Sequence, residues 1–504
     1  MGSGTFSYFK STKIIQLTVV LVALILAYSI QEANLDHLVK DGVPLRAQQT
    51  IKTADDISYL SPALTYYNTG GIYVDPIQKY RSITRSPGYG IIYGAFLYSL
   101  APENALRGLK WFQLLLFGVS IYLLFGICAH FITSTYFVYA MVLLYALLPF
   151  SHGFIYYSLT EGVTPSLTII FFSLLLIAHR NKSQKIYFLS ALLLAAIIVI
   201  RPFLLLYGIP LLGCILLDFR KEKWQLFKTL AVSILISWVF MGAWQVRNFV
   251  VLDKLTGLHP IYQKEVPGIF RPVHQDIWNF YKGFEHKGDR FHEHIVPFWQ
   301  QSLQGDTTIA LVKAHIESLP ETVKDAVSTQ QLTRAFSSYQ RVTLLQKRYI
   351  EKEELIPSWV YKEEQNTSLL FHDLTRKFKR SYPFTYHIET PLKVSINLLG
   401  HSNLSLYLFQ KTYRGTWWME SLRVISFIVY AGSFLMCFLA VFLWRKFPEL
   451  ALMSFSIMIA IFYLCYFQRG TEERYLSPFL PIAFVISAVL INRFFTRLKR
   501  NNHS

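Results

Sequence analysis

The stretch IIQLTVVLVALILAYSI, residues 14–30, contains no charged side chain. An apolar run of about this length spans the roughly 30 Å hydrocarbon core of a bilayer as a helix, because only a helix or a closed barrel satisfies its backbone N–H and C=O groups there. Lys10 and Lys13 precede the run and no small-residue cleavage pattern follows it, so it reads as a signal anchor that stays in the protein. Comparable runs recur at about 107–129, 134–156, 164–178, 186–200, 203–217, 226–243, 422–444, 449–467 and 475–492, giving about ten spans. Arg201-Pro202 interrupts the region 186–217, which predicts two helices meeting at a turn. With 53% hydrophobic residues and a mean hydropathy of +0.32, a chain of 504 residues is too apolar to be soluble. The expected class is an all-α polytopic membrane protein.

The 49 Lys and Arg residues exceed the 31 Asp and Glu residues by 18. In a membrane chain this excess fits cytoplasmic loops facing anionic lipid, or a phosphate-bearing substrate. No zinc-finger, Walker or Rossmann spacing supports a nucleotide site, and nucleic acid is not an expected partner. Cys128, Cys214, Cys437 and Cys465 all lie in apolar stretches and read as packing residues. The basic clusters 179–182, 220–223, 445–446 and 493–500 fall on one side if both termini are cytoplasmic, as the positive-inside rule requires. That count holds only if residues 90–100, too short to cross, lie as an interfacial helix on the outer face.

Three units follow. Residues 1–248 form a transmembrane core with a first outer loop at 31–106. Residues 249–420 form a large, mainly helical outer region, with helix-like stretches near 305–318 and 328–352, and residues 421–504 return to the membrane and end in a basic cytoplasmic tail. A short-looped chain of this kind fits a bacterial inner membrane.

The outer ends of the spans collect ionisable residues: Asp55, Asp56, Arg85, Glu161, Arg201, Arg247 and Arg474. Burying such groups beside a membrane is costly, so they point to a shared site. Carboxylates there suit general-base work and arginines suit an anionic partner. Simpler readings compete with this. Asp55 and Asp56 can cap the helix that follows Thr53. Arg201 can snorkel, and Arg247 and Arg474 can anchor the interface beside Trp244 and Tyr475. His286, His292 and His294 lack the helical spacing of zinc hydrolases, and no metal or other cofactor is assigned, although a divalent ion is not excluded. Asn366-Thr367-Ser368 and Asn403-Leu404-Ser405 match the N-glycosylation pattern.

The order of short motifs resembles GT-C integral-membrane glycosyltransferases, specifically glycosyltransferase family 39 and its relatives, the protein O-mannosyltransferases and lipid A aminoarabinose transferases. After the first span come Asp55-Asp56-Ile57-Ser58-Tyr59 and then Arg85-Ser86-Pro87-Gly88-Tyr89. Thr160-Glu161, Arg201-Pro202, Trp244 to Asn248 and Glu473 to Pro478 follow in that order. Many relatives have Asp-Glu at the acidic pair and Lys-Pro-Pro at Arg85-Ser86-Pro87, and residues 249–420 match nothing in the family. The resemblance implies a GT-C fold and transfer of a sugar, with inversion, from a polyprenyl-phosphate donor to a glycolipid, polysaccharide or protein acceptor on the outer face. It implies Asp55 as first choice for the base, with Asp56 or Glu161 in support, and Arg85, Arg201, Arg247 and Arg474 on the donor phosphate. Tyr59, Tyr89, Trp244 and Tyr475 would shape the substrate site. The competing classes are a transporter or flippase for lipid-linked sugars and a polysaccharide ligase or polymerase. A transporter would favour two similar halves with paired broken helices, which the sequence does not show.

Overall fold

The computed structural model of the protein describes residues 4–40, 42–47, 49–71, 76–83, 85–257, 263–268, 271–286, 290–400 and 415–501. Among these residues helix dominates, and the strands form a single hairpin of β1 (Leu45–Arg46) and β2 (Thr50–Ile51). The described part of the chain is almost entirely helical, and its apolar helices make it a multi-pass membrane protein.

The run at 14–30 lies in α1 (Gly4–Lys40). After the hairpin come α2 (Asp56–Thr69), α3 (Pro76–Arg81) and α4 (Gly88–Ser99), then the long α5 (Pro102–Phe131). Tyr28 stacks on Trp111 while Leu24 lies against Gly118, so α1 and α5 run antiparallel. The next helices are α6 (Thr135–Leu147), α7 (Thr164–Asn181), α8 (Gln184–Ile200), α9 (Gly208–Phe219), α10 (Lys223–Ser237) and α11 (Val239–Leu252). After the outer region, α19 (Trp417–Ala440), α20 (Pro448–Tyr463) and α21 (Leu480–Asn501) complete the bundle. The first half of α21, from Leu480 to Val489, is buried nearly all round, as an apolar helix in the middle of a bundle must be.

Six helices among the described residues are long and apolar enough to cross a membrane: 13–40, 102–131, 202–219, 417–443, 448–468 and 480–498. Helices α10 and α11 together would make a seventh, bent by 43°. Two of the expected runs fold as shorter helices. The run at 186–200 is α8 and the run at 134–156 is helical only to Leu147, while the run at 164–178 lies in α7, whose 18 residues end in the polar His179-Arg180-Asn181. Leu148 is extended (φ −75°, ψ 133°) ahead of Pro149, which has no N–H to continue the helix and disfavours a helical predecessor. The expected break at Arg201-Pro202 is present: Arg201 is extended and a 3₁₀ turn at Pro202–Tyr207 leads into α9.

At one end of the bundle polar side chains tie helices together. His179 of α7 meets Asp218 of α9 at 3.0 Å, Tyr187 of α8 donates to Asp218 at 2.5 Å, and His130 of α5 approaches Glu449 of α20 at 3.5 Å. The first loop lies at the other end.

Between the two sets of spans stand α12 (Pro272–Tyr281), α13 (Arg290–Gln304), α14 (Ile309–Glu317), α15 (Glu321–Ala326), α16 (Thr329–Glu351), α17 (Ser358–Ser381) and α18 (Thr390–Gly400). The expected helices near 305–318 and 328–352 are α14 and α16. Phe280, Phe298, Phe336, Phe371 and Phe378 form a core separate from that of the spans. Arg469, just after α20, donates to the Tyr386 carbonyl at 2.7 Å, and Tyr466 bonds His387 at 2.6 Å, so the region is fastened to the bundle. Asn366 sits exposed on α17, whereas Asn403-Leu404-Ser405 lies outside the described residues.

Candidate functional site

Thr53 Oγ1 accepts the backbone N–H of Asp56 at 3.1 Å and so caps α2, leaving both aspartate side chains for other uses. The capping role considered for Asp55 and Asp56 therefore falls to Thr53. The two carboxylates diverge completely. Asp56 is fully buried and takes a two-pronged bond from Arg46, at 2.7 Å from Nη2 and 3.2 Å from Nε. This pair ties the start of α2 to the β1–β2 hairpin. The hairpin is in turn fixed to the stretch before Glu161, where Ile51 bridges Tyr157 and Ser158 Oγ donates to Thr50 Oγ1 at 2.9 Å.

Asp55 faces the other way. Arg85 Nη2 donates to its Oδ1 and Arg474 Nη2 to its Oδ2, each at 2.7 Å, and its carboxyl is 27% exposed. Arg85 Nε also donates to Ser58 Oγ at 3.1 Å, and its guanidinium stacks 5.2 Å from the Tyr59 ring. Arg474 also bonds Glu472. Its backbone carbonyl accepts Arg201 Nη2 at 3.3 Å, and Arg201 Nη1 pairs with Glu161 Oε1 at 3.0 Å. Thr160 Oγ1 donates to Glu161 Oε2 at 3.0 Å, and the Tyr475 ring lies beside both Arg201 and Arg474. Five residues separated by more than 400 positions thus form one cluster: Asp55, Arg85, Glu161, Arg201 and Arg474.

The local sequence explains how the arginines arrive. In Arg85-Ser86-Pro87-Gly88-Tyr89, Ser86 Oγ donates to the Val199 carbonyl, and a Cβ on Gly88 would come within 2.6 Å of the backbone of Val199 and Ile200. Only glycine allows the start of α4 to sit this close to the end of α8. That approach anchors the segment carrying Arg85 at the end of α8, which Arg201 immediately follows. Tyr89, wholly buried, donates to Gln113 Oε1 at 3.1 Å. Gln113 Nε2 donates to the Ile155 carbonyl at 2.5 Å, and its amide presses on Gly162, where a Cβ would lie 2.2 Å from Oε1. One amide in α5 thereby fixes both the tyrosine motif and the loop that presents Glu161.

Burial alone would raise the Asp55 carboxyl, but the guanidiniums of Arg474 and Arg85 outweigh it and hold it below the ordinary carboxylate range. Glu161 behaves alike: burial opposes ionisation, and Arg201 and Arg474 reverse the balance. Both are therefore anions at neutral pH. Asp55, Glu161 and Glu472 face Arg85, Arg201 and Arg474, three charges against three.

The remaining expected residues sit apart. Arg247 donates to Asn248 at 2.9 Å and to Ser82 Oγ at 3.3 Å, and stacks 4.9 Å from Trp244, so it reaches the first loop three residues ahead of Arg85. Arg46, Glu472 and Gln113 went unnoticed in the sequence. Gln113 alone left a signal there, a lone amide inside an apolar span. Among the described residues no three metal-ligating side chains gather. His294 stacks on Tyr281, and the side chain of His292 lies outside the described residues. No family model, curated protein or solved structure matches the chain.

Proposed function

We propose that the protein is a GT-C-type glycosyltransferase with about ten membrane passes, which transfers a sugar from a polyprenyl-phosphate donor to an acceptor hydroxyl at the outer face of a bacterial inner membrane. The observation that carries this reading is Asp55 held between Arg85 and Arg474, with Glu161 and Arg201 completing the same cluster. Asp55 accepts the proton of the acceptor hydroxyl while that oxygen attacks the anomeric carbon. The bond from that carbon to the donor phosphate oxygen breaks, and its electron pair leaves on the phosphate. Attack opposite the leaving group gives inversion.

The carboxylate's low pKa is an obstacle, because a base clamped by two guanidiniums takes up a proton poorly. The even charge count supplies a way round it. An incoming phosphate adds negative charge that Arg85, Arg474 and Arg201 are placed to bind, and that charge competes with Asp55 and Glu161 for the same guanidiniums. Donor binding thus weakens the clamp on the base, and the arginines then stabilise the charge that grows on the leaving phosphate. Asp56, committed to Arg46, positions α2. Arg247 extends the basic surface toward Ser82. Tyr59 and Tyr475, stacked beside the arginines, shape the sugar and phosphate pockets.

Radiolabelled polyprenyl-phosphate sugar incubated with the purified protein in detergent tests the reading. Transfer that persists at the wild-type rate in Asp55→Asn sinks it. The outer orientation is checked with Lys52→Cys, an exposed loop position in a chain whose native cysteines are buried. Labelling of that thiol only from the cytoplasmic side would place the site on the wrong face.

A further inference from the structure

A second charged cleft lies at the same end of the bundle, between α1 and α5, and shares no residue with the carboxylate cluster. It has a volume of about 220 Å³ and is lined by Glu32, Arg107, Lys110, Trp111 and Tyr156, with Tyr28 at its lip. Glu32 is already committed: it accepts the Tyr156 hydroxyl and lies 3.9 Å from Lys110 Nζ. Lys110 sits 4.1 Å over the Tyr156 ring. Arg107, one turn earlier on the same face of α5, is exposed and has no hydrogen-bond or ion-pair partner among the described residues. Two cations against one carboxylate leave the cleft with a charge of +1.

Below it, two apolar stripes run toward the middle of the membrane. On α1 they comprise Leu17, Leu21 and Ile25, and on α5 Leu115, Val119 and Tyr122, all exposed. Spacing of three to four residues puts each set on one helix face, and the α1–α5 seam places the faces side by side. The stacked Tyr28 and Trp111 mark the level where aromatic rings meet lipid headgroups.

We propose that this cleft binds a two-chain, monoanionic glycerophospholipid, its phosphodiester on Arg107 and Lys110 and its acyl chains along the two stripes. A single negative charge neutralises the cleft. A zwitterionic headgroup would leave the +1 in place and bring an ammonium to a carboxylate whose partners are already Tyr156 and Lys110. Basic pockets between membrane helices take lipid headgroups in this way.

Native mass spectrometry of the full-length protein in detergent, titrated with dioleoyl phosphatidylglycerol, dioleoyl phosphatidylethanolamine or dioleoylglycerol, tests the proposal. Phosphatidylglycerol is expected to bind most tightly, and Arg107→Gln to weaken it about fivefold, with a similar further loss in R107Q/K110Q. Arg107 is exposed and its variant should fold; an unchanged thermal unfolding curve will verify that. Equal retention of phosphatidylethanolamine or dioleoylglycerol, or unaltered binding in Arg107→Gln, overturns the proposal. So does displacement at equal strength by a polyprenyl phosphate, which would assign the cleft to a single-tailed lipid.

Discussion

Two regions of this molecule bury a carboxylate against an arginine, and they do so to opposite effect. In the outer region Arg271 and Glu364 are both wholly enclosed. Arg271 also donates to the Val266 carbonyl and Glu364 accepts the Val273 N–H, so the pair is closed on itself. Burial pushes the Glu364 carboxyl above its ordinary value, with Arg271 opposing but not overcoming it. At the bundle's end Asp55 is about a quarter exposed and shared between two arginines, one of which also serves Glu472. There the guanidiniums win and the carboxyl is held low. A closed pair staples two segments, Arg271 before α12 and Glu364 in α17. An open, shared set can exchange partners with an arriving anion.

The largest effect expected from breaking this contrast is Asp55→Asn, which removes the base and lowers transfer by about 10²–10⁴-fold while lowering the unfolding midpoint only by the carboxylate's small share of stability. An unfolding midpoint that fell in step with activity would make Asp55 a staple like Glu364. Next, Arg271→Met leaves Glu364 buried without its partner and should cost about 3–5 kcal/mol of stability, with the double change Arg271→Met/Glu364→Leu recovering most of it. Chemical denaturation of the three proteins checks this, and failure of the double variant to recover would show that the pair does more than fasten helices. Gly88→Ala forces the start of α4 away from Val199 and Ile200. It should lose about 1–3 kcal/mol of stability, and Arg85 should be displaced with the helix. Measured transfer that stayed intact would show that Arg85 does not depend on this contact.

The smallest effect is in pH. Asp55 and Glu161 have folded pKa values below their unfolded ones, which lie at about 3.9 and 4.3. Their contribution to stability is therefore complete above those unfolded values and is lost as pH falls through the lower folded ones. Glu364 has the opposite sign, since its folded value is raised, and its term favours the native state as pH falls through that raised value. Acid titration of stability should accordingly be shallower in Asp55→Asn and Glu161→Gln than in wild type. An identical slope would show that neither carboxylate is held low.

Hydropathy made most of the membrane architecture legible, because a helix that crosses the bilayer needs a long apolar run and each such run announces itself. It failed at 134–156, where the apolar composition continues but Pro149 ends the helix. The charged residues at the outer ends were also legible, as expensive groups that needed a partner. Their partnerships were not. Nothing local distinguishes Asp55 from Asp56, yet one meets Arg85 and Arg474 while the other is locked to Arg46. Arg474 lies 419 positions from Asp55, and only the packing of the late helices against α5, α7 and α9 closes that distance.

The sequence by itself therefore determined a helical membrane chain and an inventory of charges gathered toward one end of it, since composition and hydropathy act residue by residue. Which carboxylate faces a closed pair and which an open set was decided by the tertiary structure. That choice turns on close backbone approaches, at Gly88 and Gly162, and on the single amide of Gln113 that orients both loops, contacts that exist only once distant helices are packed.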